Sequence, residues 1–211
     1  MDGEQHWDRV YRRKAPEAVS WYRPHLERSL AFIEQAGLDR DAGILDVGDG
    51  ASTLVDDLLD RGYRDLTVLD ISATAIDHAK TRLGARAAAV TWLVGDITRV
   101  ALPERRFAFW HDRAVFHFLT DLADRRRYVQ QVHGAVRVGG YVMVATFAPD
   151  GPMKCSGLDV VRYAPEELHA QFGSDFQLLD SAREEHHTPA GTIQPFVYCL
   201  CRMHGPRSGQ R

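Results

Sequence analysis

The chain has 211 residues, 45% hydrophobic and 26% charged, with a formal net charge of -3. That length favours one domain with its own core, and the composition is that of an ordinary globular protein. A near-neutral balance excludes a global field that draws nucleic acid or an acidic membrane. Three cysteines (Cys155, Cys199 and Cys201) are too few and odd for a disulfide framework, and no run nears the ~20 apolar residues of a membrane span.

Residues 1–43 read as a helical segment, with Trp7, Val10, Tyr11, Leu26, Leu30 and Ile33 at helical spacing, broken at Ala15-Pro16. Its opening, MDGEQHWDRVYRRK, carries no apolar stretch of a secretory signal, so a reducing cytoplasm is the expected setting. Ile44 to Val47 is a short apolar run ending in a glycine turn, as a buried parallel strand is. Helical periodicity follows from Ser52 to Arg61 and stops at Gly62. The unit then repeats. Leu66–Asp70 reads as a second strand, Ser72 as the N-cap of a helix to Leu83, and Val90–Val94 as a third strand. Phe107–Trp110 is a fourth strand, followed by helical segments near Ala114–Leu119 and Asp124–Val136. Arg125–Arg127, the densest basic run, reads as a solvated helix face. Gly139-Gly140 is expected to close the helix before a fifth strand, Tyr141–Phe147. After a glycine-rich loop at 151–163 and a short helix from Pro165, Phe176–His187 and Thr192–Met203 read as a hairpin turning at Thr188-Pro189-Ala190-Gly191.

The predicted fold is α/β: a Rossmann-like, seven-stranded, mostly parallel sheet with a C-terminal antiparallel hairpin and helices on both faces. One domain is expected over 1–211, with a helical cap (1–43), a core (44–204) and a tail (205–211). Cys199 and Cys201 are read as pointing to opposite faces of their strand, and His186 and His187 as diverging without a suitably spaced acidic or cysteine partner, so no metal site is expected.

The chemistry concentrates at strand ends. Asp46-Val47-Gly48-Asp49-Gly50-Ala51-Ser52 is a turn of small residues, where a ligand approaches the backbone and the free N–H groups of the next helix. Asp70 lies 22 residues beyond Gly48, where a carboxylate can accept both hydroxyls of a ribose. A dinucleotide fingerprint needs a third glycine, but position 53 is Thr53, which argues against a nicotinamide cofactor.

The run ILDVGDGAS resembles the first motif of class I S-adenosylmethionine methyltransferases, Asp70 in VLDIS their ribose-binding acid, and Asp96 in VGDIT their adenine-contacting acid. The turn before YVMVATF and the closing hairpin match in order, over about residues 43–203. The resemblance implies S-adenosylmethionine as cofactor, held by Asp46, Gly48, Gly50, Asp70, Ile71, Asp96, Ile97 and His111. The opening HWDRVYRRK and the run WHDRAVFHFL are similar to a branch of small bacterial methyltransferases and eukaryotic protein-lysine methyltransferases, which act on elongation factor and on citrate synthase. In that branch the opening segment caps the cofactor, which implies Trp7, Tyr11, Trp21 and Tyr22 near the methyl group. Two positions depart from the motif. Asp49 stands where the family has a small residue or cysteine, and Ser52 where it has glycine. A carboxylate at 49 repels the methionyl carboxylate, meets the cofactor's ammonium or points to solvent.

Candidate catalytic groups are His111, Asp112 and His117: either imidazole as a base, the carboxylate to hold an acceptor amine. Arg113 is read as pairing with Asp112 or binding an acidic substrate group, and Trp21, Tyr22, Cys155 and Arg162 as acceptor contacts. No Asn-Pro-Pro-Tyr or Asp-Pro-Pro-Tyr signature of adenine methylation is present. The expected acceptor is a small molecule methylated at N, O or S, with a protein lysine as the alternative. A non-catalytic cofactor-binding protein with a degenerate glycine loop is a further reading. No nucleic-acid or membrane partner is expected, and the assembly is expected to be a monomer or homodimer.

Overall fold

The computed structural model describes residues 3–50 and 52–204; positions 1, 2, 51 and 205–211, the expected tail among them, lie outside the described residues. Helix α1 (Gly3–Arg13) and, after a 3-10 turn, α2 (Glu27–Gln35) precede the first strand. Then come β1 (Ile44–Val47), α3 (Leu54–Asp60), β2 (Leu66–Asp70), α4 (Ala73–Leu83), β3 (Val90–Val94), β4 (Phe107–Arg113), α5 (Leu122–Ala135) and β5 (Val136–Phe147). A ribbon of β6 (Lys154–Cys155) and β7 (Leu158–Asp159), helix α6 (Pro165–Ala170), β8 (Phe176–His187) and β9 (Ile193–Met203) complete the order.

Seven strands form one sheet in the order β3-β2-β1-β4-β5-β9-β8, with β9 antiparallel to both neighbours. Strand order reverses between β1 and β4, and a crevice opens outside the carboxyl ends of strands at such a reversal. Both faces are covered. Phe109, Met143, Tyr198 and Leu200 pack with α2 and α3 on one face; Trp110, Val142, Val144 and Cys199 pack with Tyr128 and Val132 of α5 on the other. All four residues of β1 are buried, which explains an apolar run without alternation.

The seven-stranded, mostly parallel sheet and its closing hairpin match the sequence reading; several details differ. Strand β4 runs on to Arg113, so His111, Asp112 and Arg113 belong to the strand rather than to a loop after it. The segment at 114–119 is only a 3-10 turn at Phe116–Phe118. The Asp112 carboxylate accepts the Val115 and Phe116 N–H groups, and Ala114 has φ 74°, which a helix cannot hold. Gly139-Gly140 lies inside β5 instead of ending a helix, and α5 starts earlier, capped by Asp121. The N-cap of α3 is Thr53; Ser52 instead accepts the Leu54 N–H through its hydroxyl. Cys199 and Cys201 share one face, because strand side chains repeat every second residue, and both are buried with Tyr163 and Leu168.

Candidate active site

The glycine turn after β1 is built for close approach. Gly48 has φ 71° and Gly50 φ 55°, both in the region that favours glycine. A Cβ on Gly50 would lie 2.1 Å from the Tyr11 hydroxyl of α1, and one on Gly48 would lie 2.0 Å from Val115 Cγ2. The turn is tied to β2 by Asp70, whose carboxylate accepts the Gly50 N–H and the Ser72 N–H, each at 2.8 Å. Burial pushes the Asp70 carboxyl up to about 6 against the pull of those two donors. Helix α1 is fixed over the turn by Asp8, which accepts the Ser72 hydroxyl at 2.5 Å and the Thr74 N–H at 3.3 Å.

Three carboxyl oxygens in this corner lack partners. Asp46 Oδ1 accepts His111 Nδ1–H at 2.6 Å across the paired strands, and His111 Nε2 meets the Ser29 hydroxyl at 2.9 Å. Asp46 Oδ2 and both oxygens of Asp49 are buried without a hydrogen-bond partner. Asp49 is 2% exposed. Burial, and then the neighbouring Asp46, hold its carboxyl well above the ordinary range, Arg82 pulling the other way.

Asp46, Asp49, Ser52 and His111 line one side of a cleft with about 360 Å³ of space between atoms, part of it open to solvent. Trp21, Tyr22, Arg23, Leu26 and Arg113 line the rest. Arg113 is buried, donating from Nε to the Tyr198 hydroxyl at 2.9 Å and from Nη1 to the Trp21 carbonyl at 3.1 Å. An aromatic cluster stands behind Trp21 and packs α1 onto the core: Trp7 lies 5.7 Å from Trp21 and 5.0 Å from Phe118, and Tyr11 6.1 Å from Trp21, ring to ring.

A family described as a methyltransferase domain matches residues 44–140, the stretch that carries the glycine turn, Asp70 and Asp96. The eEF1A lysine and N-terminal methyltransferase of Danio rerio is 26% identical over 180 residues, covering 84% of this chain and 26% of that protein. Residues 44–140 thus carry the pattern of a methyltransferase domain, and the chain is similar to S-adenosylmethionine-dependent methyltransferases. It spans about a quarter of that curated relative's length. A structure solved for the conversion of a disulfide bond into a thioacetal group during echinomycin biosynthesis superposes with a TM-score of 0.77 at 20% identity, over 97% of this chain and 94% of that one. The Burkholderia thailandensis 1,6-didemethyltoxoflavin-N1-methyltransferase, solved with its substrate and S-adenosylhomocysteine, gives a TM-score of 0.65 at 20% identity, over 92% and 81% of the two chains.

The methyltransferase site fits S-adenosylmethionine on its own chemistry. The orphaned oxygens of Asp46 and Asp49 are acceptors for an ammonium group, and the turn that carries them holds two positive-φ glycines. Asp96, after β3, spends Oδ1 on the Thr98 N–H and hydroxyl, both at 2.8 Å. Ile97 is buried, and Ile71 lies beside Gly3 of the covering helix.

The sequence-predicted catalytic residues fare differently. Alternation along β4 sends His111 and Arg113 to the cleft face and Asp112 to the other, beside Trp110. Asp112 accepts the Tyr128 hydroxyl at 2.5 Å as well as the two turn N–H groups, so it neither meets an acceptor amine nor pairs with Arg113. His111 has both nitrogens engaged and is 2% exposed, which suits it to holding Asp46 rather than to taking a proton. His117 is buried against Phe147, whose N–H reaches its Nδ1 at 3.4 Å; burial and Arg113 push it down to about 3, so it is neutral. That tautomer leaves an Nε2–H without a partner. Trp21, Tyr22 and Arg113 line the cleft as expected; Arg162 instead braces the 151–163 loop at the Gly151 carbonyl. Cys155 is buried and pushed up to about 11 by desolvation, so it rests as a thiol.

Ser29 and Glu184 were not legible as site residues. Ser29 is a buried polar residue inside the apolar stripe of α2, which was its one signal. Glu184 shares its strand face with Phe196 and accepts Arg23 Nη1 at 2.7 Å.

Proposed function

We propose that this chain transfers the methyl group of S-adenosylmethionine to a small-molecule acceptor, at N, O or S, by in-line displacement. The observation that carries the reading is the narrow cleft lined by Trp21, Tyr22 and Leu26 beside Arg113, with Trp21 backed by Trp7 and Tyr11, whereas a lysine on a protein surface needs an open acidic groove. S-adenosylmethionine supplies a methyl group already activated as a sulfonium. Gly48 and Gly50 give it a close-fitting backbone, Asp70 and Ile71 take the ribose side, and Asp96 and Ile97 the adenine. Asp46, steadied by His111 and Ser29, faces the methionyl end. Trp21, Tyr22 and Arg113 form the acceptor side and exclude water; alignment and desolvation carry the rate, so no universal base is required.

Calorimetric titration with S-adenosylmethionine, S-adenosylhomocysteine and NAD tests the cofactor half. Binding of the sulfur nucleosides without NAD is expected. Transfer of labelled methyl to small thiols, phenols and amines, against intact eEF1A, tests the acceptor half. The similarity to eEF1A lysine methyltransferases supports the second reading, a protein lysine. Label on eEF1A with none on any small molecule would establish it and end the first.

A further inference from the structure

Resting on the small-molecule reading, we propose that the acceptor is an acidic S–H or O–H compound, a thiol or a phenol, that binds as its anion against Arg113 on the hairpin side of the cleft. The cleft carries both signs of charge. Two carboxylates at the glycine turn, Asp46 and Asp49, and two guanidinium groups, Arg23 and Arg113, line it. A cationic sulfonium donor suits the carboxylates, and an anionic nucleophile suits the guanidinium groups.

The register of the sheet builds the strip around Arg113. Arg113 on β4 is level with Ala145 on β5, which is level with Tyr198 on β9; Phe147, Phe196 and Glu184 form the next row. His186 and Gln194 sit one row further along the same face of the hairpin. The Arg113 guanidinium lies over the Phe196 ring at 4.5 Å, and His117 is packed 4.7 Å from Phe147. Four polar atoms along this strip are buried without a hydrogen-bond partner: His117 Nε2, His186 Nδ1, Gln194 Oε1 and Arg113 Nη2, the last of which has only a loose ion pair with Glu184 at 3.8 Å. An unsatisfied buried polar group is costly, and a ligand that satisfies it recovers that cost.

The charges face as follows. Glu184 Oε1 lies 2.7 Å from Arg23 and 3.8 Å from Arg113, so one partly buried carboxylate serves two guanidinium groups. Arg23 also reaches Glu27 at 3.3 Å, but Glu27 is 65% exposed and screened. His117 and His186 stay neutral beside Arg113: burial and its charge push them down to about 3 and about 4. The Nε2–H of His186 donates to the Ser20 carbonyl, leaving Nδ1 as an acceptor. Arg113, which lines the cleft, therefore offers an N–H donor to an anion, while a lysine ammonium would meet a guanidinium.

The step balances. The acceptor leaves its proton in solvent on binding. Its lone pair forms the bond to the methyl carbon, the carbon–sulfur bond breaks, and that pair stays on sulfur. Anion and sulfonium are both neutralised, giving a thioether or aryl ether and neutral S-adenosylhomocysteine.

The test uses the S-adenosylhomocysteine complex with 4-nitrophenol, whose anion absorbs where its neutral form does not, and benzylamine as the cationic control. At a pH about one unit below the phenol's own titration point, the bound probe should show the phenolate band. Arg113→Lys should keep the band. Arg113→Gln should lose it while S-adenosylhomocysteine affinity stays within about threefold, which also shows that the variant is folded. The proposal is overturned if the probe binds as neutral phenol, fails to bind, yields to benzylamine, or keeps its band in Arg113→Gln. Failure of S-adenosylhomocysteine itself to bind would instead bring down the cofactor reading and this proposal with it. Labelled methyl on matched thiols and phenols then separates sulfur from oxygen.

Discussion

Asp49 occupies a position where the cofactor-free protein stores an electrostatic cost. Its carboxyl is 2% exposed, both oxygens lack partners, and Asp46 is a like-charged neighbour. Asp49→Asn keeps the shape and removes the charge. An unsatisfied buried polar group costs ~1–3 kcal/mol, more when charged. For a chain of this size that corresponds to a rise in Tm of roughly 2–12 °C near pH 8. The sign with pH follows from the raised folded value. Above the ordinary 3.8 the unfolded chain has lost a proton that the folded chain still holds, so wild-type stability falls as pH rises, and the loss levels off only above the folded value. The gap in favour of Asp49→Asn should be small below pH ~4 and widen by up to ~1.4 kcal/mol per pH unit above it. Thermal melts of both proteins across that range measure it directly. A gap that is flat with pH, or an asparagine variant less stable throughout, would mean that Asp49 is solvated or paired and would refute the reasoning. Saturating S-adenosylhomocysteine should narrow the gap, because its ammonium gives Asp49 a partner. If Asp49→Gly leaves S-adenosylhomocysteine affinity unchanged, the carboxylate neither holds nor repels the methionyl end.

Gly50→Ala forces a side chain onto the Tyr11 hydroxyl at φ 55°, and should lower S-adenosylhomocysteine affinity at least tenfold, about 1.4 kcal/mol, by calorimetry; unchanged affinity would show that α1 yields freely. Asp112→Ala orphans the Tyr128 hydroxyl and two turn N–H groups, and should cost on the order of 2–4 kcal/mol of stability in urea titrations. Its kcat should stay within about threefold of wild type in the folded protein, and a selective fall in kcat would restore Asp112 to the chemistry. Cys155, neutral and buried, should react with iodoacetamide at about pH 7.5 no faster than the chain unfolds, as followed by intact mass; rapid labelling of the native protein would contradict its burial.

The parts of the fold that repeat were legible from the chain alone. Period and punctuation identify β1 through β3 and the closing hairpin, because an apolar run, a glycine and an N-cap such as Ser72 each act locally. What could not be read is what depends on register. His111 and Arg113 face the cleft while Asp112, between them, faces α5, and that division follows from where β4 ends. A strand thought to stop at Trp110 leaves the next three side chains free to converge; one that runs to Arg113 sends them to alternate faces. The same parity rule corrects Cys199 and Cys201 and lines Glu184 and His186 up with Arg113. The residues proposed for the cofactor survive such uncertainty because they sit on backbone turns marked by glycine and aspartate. Acceptor residues do not, because they are assembled from β4, the hairpin and the 20–23 segment, and only the paired sheet brings those together. That is why the sequence points to the methyl donor, whereas the proposed acceptor rests on which charged groups, Asp46, Asp49, Arg23 and Arg113, the fold brings into one cleft.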